Sequence, residues 1–173
     1  ERDGNVEKVL KGLKPEREFD YFEEVTKIPR CSGCEENISN YLINVAKSHK
    51  LYAIQDKALN VIIEKEGTKG YENSPTVVIQ GHMDMVCEKE KGIKHDFSKD
   101  SIKLKVDGDY IMAEGTTLGA DDGILVAFCL ALLESDDVQH PPLEVLITTS
   151  EETGMNGAVN LDPKLIDGRI LIN

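Results

Sequence analysis

The chain has 173 residues, of which 40% are hydrophobic and 30% are charged, as is usual for one globular domain with a buried core. Its 20 basic and 32 acidic residues give a net charge of −12, which argues against nucleic acid as a partner because phosphate binding needs a basic surface. No apolar run reaches the roughly 18 residues that would predict a membrane span.

A first amphipathic helix is predicted after residue 14. Pro15 stands where the first turn of a helix tolerates proline, and Phe19, Phe22 and Val25 then recur on one face. Pro29 is expected to end this segment.

A second helix is predicted to begin just after Ser32. Ser32 followed by Glu35 matches a capping box, and Ile38, Leu42 and Val45 recur at helical spacing. Both helices are therefore expected to pack an apolar face against another layer.

The cysteines are Cys31, Cys34, Cys87 and Cys129. Four cysteines without an apolar leader segment favour a reduced, cytoplasmic chain over a disulfide-bonded one. Cys31 and Cys34 have metal-ligand spacing, but no second cysteine or histidine pair accompanies them at zinc-finger spacing. We interpret them as two residues of a loop.

The rest of the chain alternates strands with a buried helix. Runs rich in valine and isoleucine predict strands at residues 51–54, 60–64, 76–80, 102–106, 110–113, 143–148 and 169–172. Asp107-Gly108 predicts a hairpin turn, and residues 124–133, apolar nearly all round, predict a buried helix. The sequence thus predicts an α/β fold, a three-layer sandwich with a mixed central sheet, and its last strand favours a truncated chain.

The first cluster of metal-type ligands is Gly-His-Met-Asp at residues 81–84, directly after a predicted strand. On an extended backbone His82 and Asp84 point to the same side. A carboxylate beside a histidine fixes the imidazole for metal binding, although the pattern alone is common.

The second cluster is Asp121-Asp122, at the start of the predicted buried helix. Either aspartate could cap the helix. A cap needs only one acidic residue, however, and the glycine-containing loop 115–119 would let a carboxylate approach an ion closely.

The third cluster is Glu151-Glu152, after the predicted strand 143–148. Two repelling carboxylates at the end of a hydrophobic strand need a reason, and a metal ion supplies one. Because adjacent side chains diverge, one glutamate could bind the ion while the other faces a water bound to it.

All three clusters lie at strand ends, where open α/β sheets place their sites. Histidine, aspartate and glutamate together favour a borderline divalent metal, most simply zinc. Two neighbouring ions would need a bridging carboxylate and would polarise both a carbonyl group and a water.

At these motifs the sequence resembles the zinc-dependent exopeptidase family that includes aminoacylases, the carboxypeptidase G enzymes and peptidase T. Within that family the likeness is to the aminoacyl-histidine (Xaa-His) dipeptidases. The shared motifs lie at residues 29–36, 60–63, 77–86 and 115–121.

The resemblance implies hydrolysis of dipeptides, Xaa-His among them, at a two-zinc site, with manganese or cobalt as substitute ions. His82 would bind one zinc, Asp121 would bridge both, and Glu152 would bind the second. Glu151 would be the general base, and Asp84 would stand behind His82 and orient it.

The resemblance also implies that residues 1–173 are the N-terminal part of a catalytic domain. A further aspartate ligand, a second histidine, and a lid and dimerisation domain would lie beyond residue 173. The intact protein would then be a cytoplasmic homodimer that acts on small peptides, and the isolated fragment would be inactive.

Two alternatives stay open from the sequence. One is a tripeptidase or an amidohydrolase of acylated amino acids with the same chemistry. The other is a non-catalytic metal-binding domain, against which Glu151 argues because a structural site needs no base.

Overall fold

The structure, a computed structural model, describes residues 8–173. The helices and strands follow one another as α1 (Glu16–Thr26), α2 (Glu36–Ser48), β1 (Tyr52–Gln55), β2 (Val61–Lys65), β3 (Val77–His82), β4 (Leu104–Asp107), β5 (Tyr110–Ala113), α3 (Ala120–Glu134), β6 (Leu143–Thr148), α4 (Asn156–Asn160), a 3-10 turn (Pro163–Leu165) and β7 (Ile170–Ile172). Among these, no helix is long and apolar enough to cross a membrane.

Five strands form a mixed sheet in the order β1-β2-β6-β3-β7. β2 is antiparallel to β1 and β6, whereas β3 is parallel to both β6 and β7. In the β3–β6 register His82 lies opposite Thr148, so both strands end at the same level. The segments that follow them therefore leave the same edge of the sheet side by side.

One face of the sheet carries the helical layer. Val25 of α1, Leu42 of α2 and Leu130 of α3 join Ile63 and Val145 of the sheet in one buried cluster. α3 is apolar on nearly every side because it lies between the sheet, α1 and the hairpin β4–β5. This packing fixes where the N-terminal end of α3 meets the sheet edge.

The other face has a thinner cover. Ile62, Val78 and Leu146 are buried there under Leu161 and Ile166, which flank the 3-10 turn. The sheet thus lies between a helical layer and this short segment, which matches the predicted α/β sandwich with a mixed sheet.

The predicted strands and helices are all present, with ends that differ by a few residues at most, and α4 is an addition. The predicted capping box is wrong. α2 begins at Glu36, and neither side chain makes a capping hydrogen bond to it: the Ser32 hydroxyl donates to Asp84, and the Glu35 carboxylate accepts from Ser150. Both side chains form hydrogen bonds with residues distant in sequence instead of with the helix end.

The expectation of four reduced cysteines is also wrong. Cys31 and Cys87 form a disulfide, while Cys34 is free and exposed and Cys129 is free and buried. The pairing depends on a contact far apart in sequence, because Cys31 forms a β-bridge with Met85 and so comes to lie beside Cys87. Reasoning from the spacing of neighbouring cysteines could not find it. Burial raises the pKa of the Cys129 thiol to about 12.

Candidate metal centre

His82 is the last residue of β3, and its side chain is only 9% exposed. Its Nδ1 lies 3.1 Å from the backbone oxygen of Asp84 and 3.3 Å from Asp84 Oδ1. The expected convergence of His82 and Asp84 is therefore present. With Nδ1 held by Asp84, Nε2 faces Asp121, whose Oδ1 is 3.1 Å away.

The two adjacent aspartates at the start of α3 point in different directions. The side chain of Asp121 is 87% exposed and reaches toward His82. Asp122 turns back to β3, where its Oδ2 accepts the backbone N–H of His82 at 3.3 Å. Gly81 makes room for this contact, since a Cβ there would clash with Asp122 Oδ2. Both residues depart from helical backbone angles, which separates the two side chains.

The loop after β6 is held through its backbone N–H groups, which donate to side chains from other parts of the chain. The four successive N–H groups of residues 149–152 donate, in order, to Asn60, Glu35, Asp84 and Asp84 again, at 3.1, 2.8, 3.0 and 3.3 Å. All three acceptor residues are buried. The conformation of the glutamate pair is thus set by side chains from distant parts of the chain.

These elements bring three metal-type ligands together. One ligand atom each from His82, Asp121 and Glu152 lies within 4.8 Å of the other two. Glu151 also reaches this point, with its Oε2 3.9 Å from His82 Nε2. His82, Asp121 and Glu151 line a cavity of about 570 Å³, which Met155 also lines. The sequence-predicted residues therefore meet at one place, and both glutamates border it.

The carboxylates around His82 favour its protonated, positively charged form. Burial acts to lower the pKa of His82, but the hydrogen bond and charge of Asp84, with Asp121 and Asp122, outweigh it and raise this pKa to about 9. Burial acts to raise the pKa of Asp84, but hydrogen bonds from His82, Ser32 and the loop after β6 lower it to about 2. A carboxylate cluster that keeps a proton on a buried histidine is one that would also attract a metal cation.

Arg30 belongs to the motif at residues 29–36, but the sequence alone assigned it no role at the site. Its buried guanidinium donates to the backbone oxygens of Met83 and Gly119, so it ties the loop after β3 to the start of α3. Gly119 has φ +70, and a Cβ at Gly119 or Gly123 would lie 2.6 Å from Arg30 Nη2. These glycines leave the space that the guanidinium fills, and that pairing is visible only in three dimensions.

Comparison with known proteins places this arrangement among peptidases. The sequence profile of "Peptidase family M20/M25/M40" matches residues 78–171. The chain is 43% identical over 164 residues to the cytosol non-specific dipeptidase of Escherichia coli (strain K12), which covers 95% of the chain and 34% of that protein.

Solved structures of peptidases also share this fold. The aminoacylhistidine dipeptidase of Vibrio alginolyticus superposes with a TM-score of 0.92 at 40% identity, over 96% of this chain and 34% of that one. A tripeptidase of Staphylococcus aureus superposes with a TM-score of 0.74 at 26% identity, over 90% of this chain and 42% of that one. The chain therefore spans between a third and a half of the length of these relatives.

Proposed function

This chain belongs to the peptidase family M20/M25/M40, and from that premise we propose that the protein hydrolyses dipeptides, Xaa-His dipeptides among them, at a two-zinc site. The observation that carries the proposal is the meeting of His82, Asp121 and Glu152 around one point, with Glu151 beside them. A metal site that served structure alone would need no additional carboxylate next to its ligands.

The donor set suits zinc. Zinc binds imidazole nitrogen and carboxylate oxygen at about 2.0–2.2 Å, which puts neighbouring ligand atoms about 3–4 Å apart. The three ligand atoms lie within 4.8 Å of one another, and the exposed Asp121 side chain has room to adjust. His82 would hold one ion, Glu152 the other, and Asp121 both. Three residues are few for two ions, and we expect the remaining ligands from parts of the protein beyond residue 173.

Bound zinc would polarise the scissile carbonyl and make the attacking water more acidic. Glu151 would take the proton from that water and pass it to the leaving amine. Asp84 would keep the His82 ring in place through Nδ1, which leaves Nε2 for the ion. Asp122 and Arg30 would hold the ends of β3 and α3 in register around the site.

The substrate class comes from the relatives, two of which are named as a non-specific dipeptidase and an aminoacylhistidine dipeptidase. A tripeptidase is the second candidate, because a protein of that name shares the fold at 26% identity. We further propose a cytoplasmic homodimer, in line with the cytosolic name of the Escherichia coli relative. A panel of dipeptides, tripeptides and acyl-amino acids separates the candidates by their kcat/KM values.

The test of the mechanism is Glu151→Gln in the protein expressed from its full reading frame. We expect hydrolysis of glycyl-histidine to fall by about 10²–10⁴-fold, the usual contribution of a general base, while the bound zinc is retained. His82→Ala should lose both zinc and activity. The exposed Glu90, which does not line the cavity at these residues, provides the control Glu90→Gln with unchanged kinetics. A Glu151→Gln protein with unchanged kcat would refute the assigned base.

A further inference from the structure

The residue that precedes the glutamate pair has an unusual backbone. Ser150 has φ +52, in the left-handed region that residues other than glycine rarely adopt. Such a conformation persists only where surrounding groups hold it. Because Ser150 comes directly before Glu151, its backbone angles set the direction in which both glutamates leave β6.

Glu35 is the group that holds Ser150. Its side chain is buried, and Glu35 Oε1 accepts both the backbone N–H of Ser150 at 2.8 Å and the Ser150 hydroxyl at 2.9 Å. Hydrogen bonds to an ionised acceptor are roughly twice as strong as neutral ones. The two residues lie 115 positions apart, so this contact is a tertiary one and not part of a local turn.

Asp84 and Glu35 each bind a different part of the loop after β6. Asp84 accepts the N–H groups of Glu151 and Glu152, and it also orients His82. The Glu35 side chain makes no capping hydrogen bond at the start of its own helix. The buried Glu35 carboxylate does not cap its helix and instead binds the residue that precedes the two glutamates. This arrangement points to a role at the metal centre.

We propose that Glu35 is a positioning residue of the metal centre: through Ser150 it fixes the directions of Glu151 and Glu152. This inference rests on the proposed function of those glutamates. Without Glu35, we expect Ser150 to relax toward a common backbone conformation and the two carboxylates to shift from their places beside His82. A displacement of about 1 Å at reacting groups can cost on the order of 10²-fold in rate.

Glu144 offers a matched control for the simpler idea that Glu35 only stabilises the fold. Glu144 is a buried carboxylate on β6, and it also accepts two hydrogen bonds, from the N–H groups of Asp167 and Gly168 at 2.9 and 2.8 Å. It does not line the cavity at the metal ligands. Any effect shared by Glu35→Gln and Glu144→Gln is therefore one of burial and stability.

The experiment compares the two variants in the protein expressed from its full reading frame and loaded with zinc. For Glu35→Gln we expect the zinc Kd to rise and kcat to fall, each by about 10–100-fold, with KM changed by less than about threefold. For Glu144→Gln we expect Kd and kcat to stay within about threefold, whatever happens to Tm. If Glu35→Gln changes only Tm and leaves the zinc Kd and kcat as they are in the control, the positioning role is refuted.

Ser150→Ala covers the case in which Glu35→Gln does not fold. It keeps the carboxylate and the backbone hydrogen bond but removes the hydroxyl, and we expect a smaller loss of zinc affinity, about 3–10-fold. Unchanged zinc affinity and kcat in Ser150→Ala would then overturn the inference. Because zinc affinity is measured without substrate, the role of Glu35 is tested even if the unsubstituted protein hydrolyses none of the peptides, an outcome that would refute the proposed function alone.

Discussion

The His82 side chain in the metal-free protein is held as a cation by its carboxylate neighbours. Its pKa is raised from 6.5 to about 9 in the folded state. A raised pKa stabilises the folded protein fully below pH 6.5, and this contribution is lost as the pH rises toward 9. We therefore expect Tm of the metal-free protein to fall between these two pH values.

The measurement is a series of thermal unfolding curves across that range, with His82→Gln as the comparison. Removing the titrating group should flatten the fall in Tm above pH 6.5. If both proteins show the same pH dependence, other groups carry it and the coupling of His82 to its carboxylates is weaker than the geometry implies.

Single residues also show where sequence reasoning stops. The convergence of these residue types could be predicted because His82, Asp121 and Glu152 each lie near the end of a strand or the start of a helix. The roles of Ser32 and Glu35 could not, because their spacing fits a local capping box equally well. Only the three-dimensional structure shows that Ser32 donates to Asp84 and that Glu35 accepts from Ser150.

Among the elements, the pairing of β3 with β6 does most to build the site. Two hydrophobic runs that each end in acidic or histidine residues predict ligands at strand ends. That the two strands are neighbours, parallel and level at His82 and Thr148, depends on a sheet order that the sequence does not contain. The first turn of α3 was likewise predicted as a helix start, whereas Asp121 and Asp122 leave helical angles to face opposite sides.

The disulfide between the loops after α1 and β3 leads to a prediction about thiol chemistry. Cys31 and Cys87 are bonded, Cys34 is exposed, and Cys129 is buried. Iodoacetamide should therefore label Cys34 alone in the folded protein without reductant. Cys31 and Cys87 should become labelled after treatment with a dithiol, and Cys129 only after unfolding.

Peptide mapping by mass spectrometry reads out each site, and Cys34→Ser is the control that should remove the early label. The result bears on the compartment as well, since disulfides are rare in cytosolic proteins. Immediate labelling of Cys31 and Cys87 in protein extracted under a thiol-blocking agent would mean that the bond is not formed in the cell. The sequence-based expectation of a reduced chain would then hold there.

Over the whole molecule, the site gathers residues from nearly every part of the described chain. Arg30 and Glu35 come from the segment before α2, Asn60 from the residue before β2, and the candidate ligands from positions 82–152. The carboxylates far outnumber the cations around them, and His82 keeps its proton as a consequence. Carboxylates placed this close together repel one another unless a cation lies between them, so we expect a bound metal ion to stabilise the folded protein.

The chain spans about a third of the length of the two dipeptidases it matches, and this sets the last prediction. Among the described residues, one group of three side chains converges as a metal site. Two zinc ions with about four ligands each need more donors than His82, Asp121 and Glu152 supply, even with a bridging carboxylate and water. An ion held by too few ligands is bound weakly, and the water beside it is poorly placed for Glu151 to deprotonate.

We therefore expect the isolated 173-residue chain to bind zinc weakly and not to hydrolyse glycyl-histidine. The protein expressed from its full reading frame should hydrolyse this dipeptide and lose activity on treatment with a chelator. Loss of supporting contacts alone typically costs about 10–100-fold in metal affinity or activity, and loss of ligands should cost more. Calorimetric titration and a dipeptidase assay on both proteins test this together. Two tightly bound zinc ions, or turnover near the full-length rate, in the 173-residue chain would show that its site is complete without further ligands.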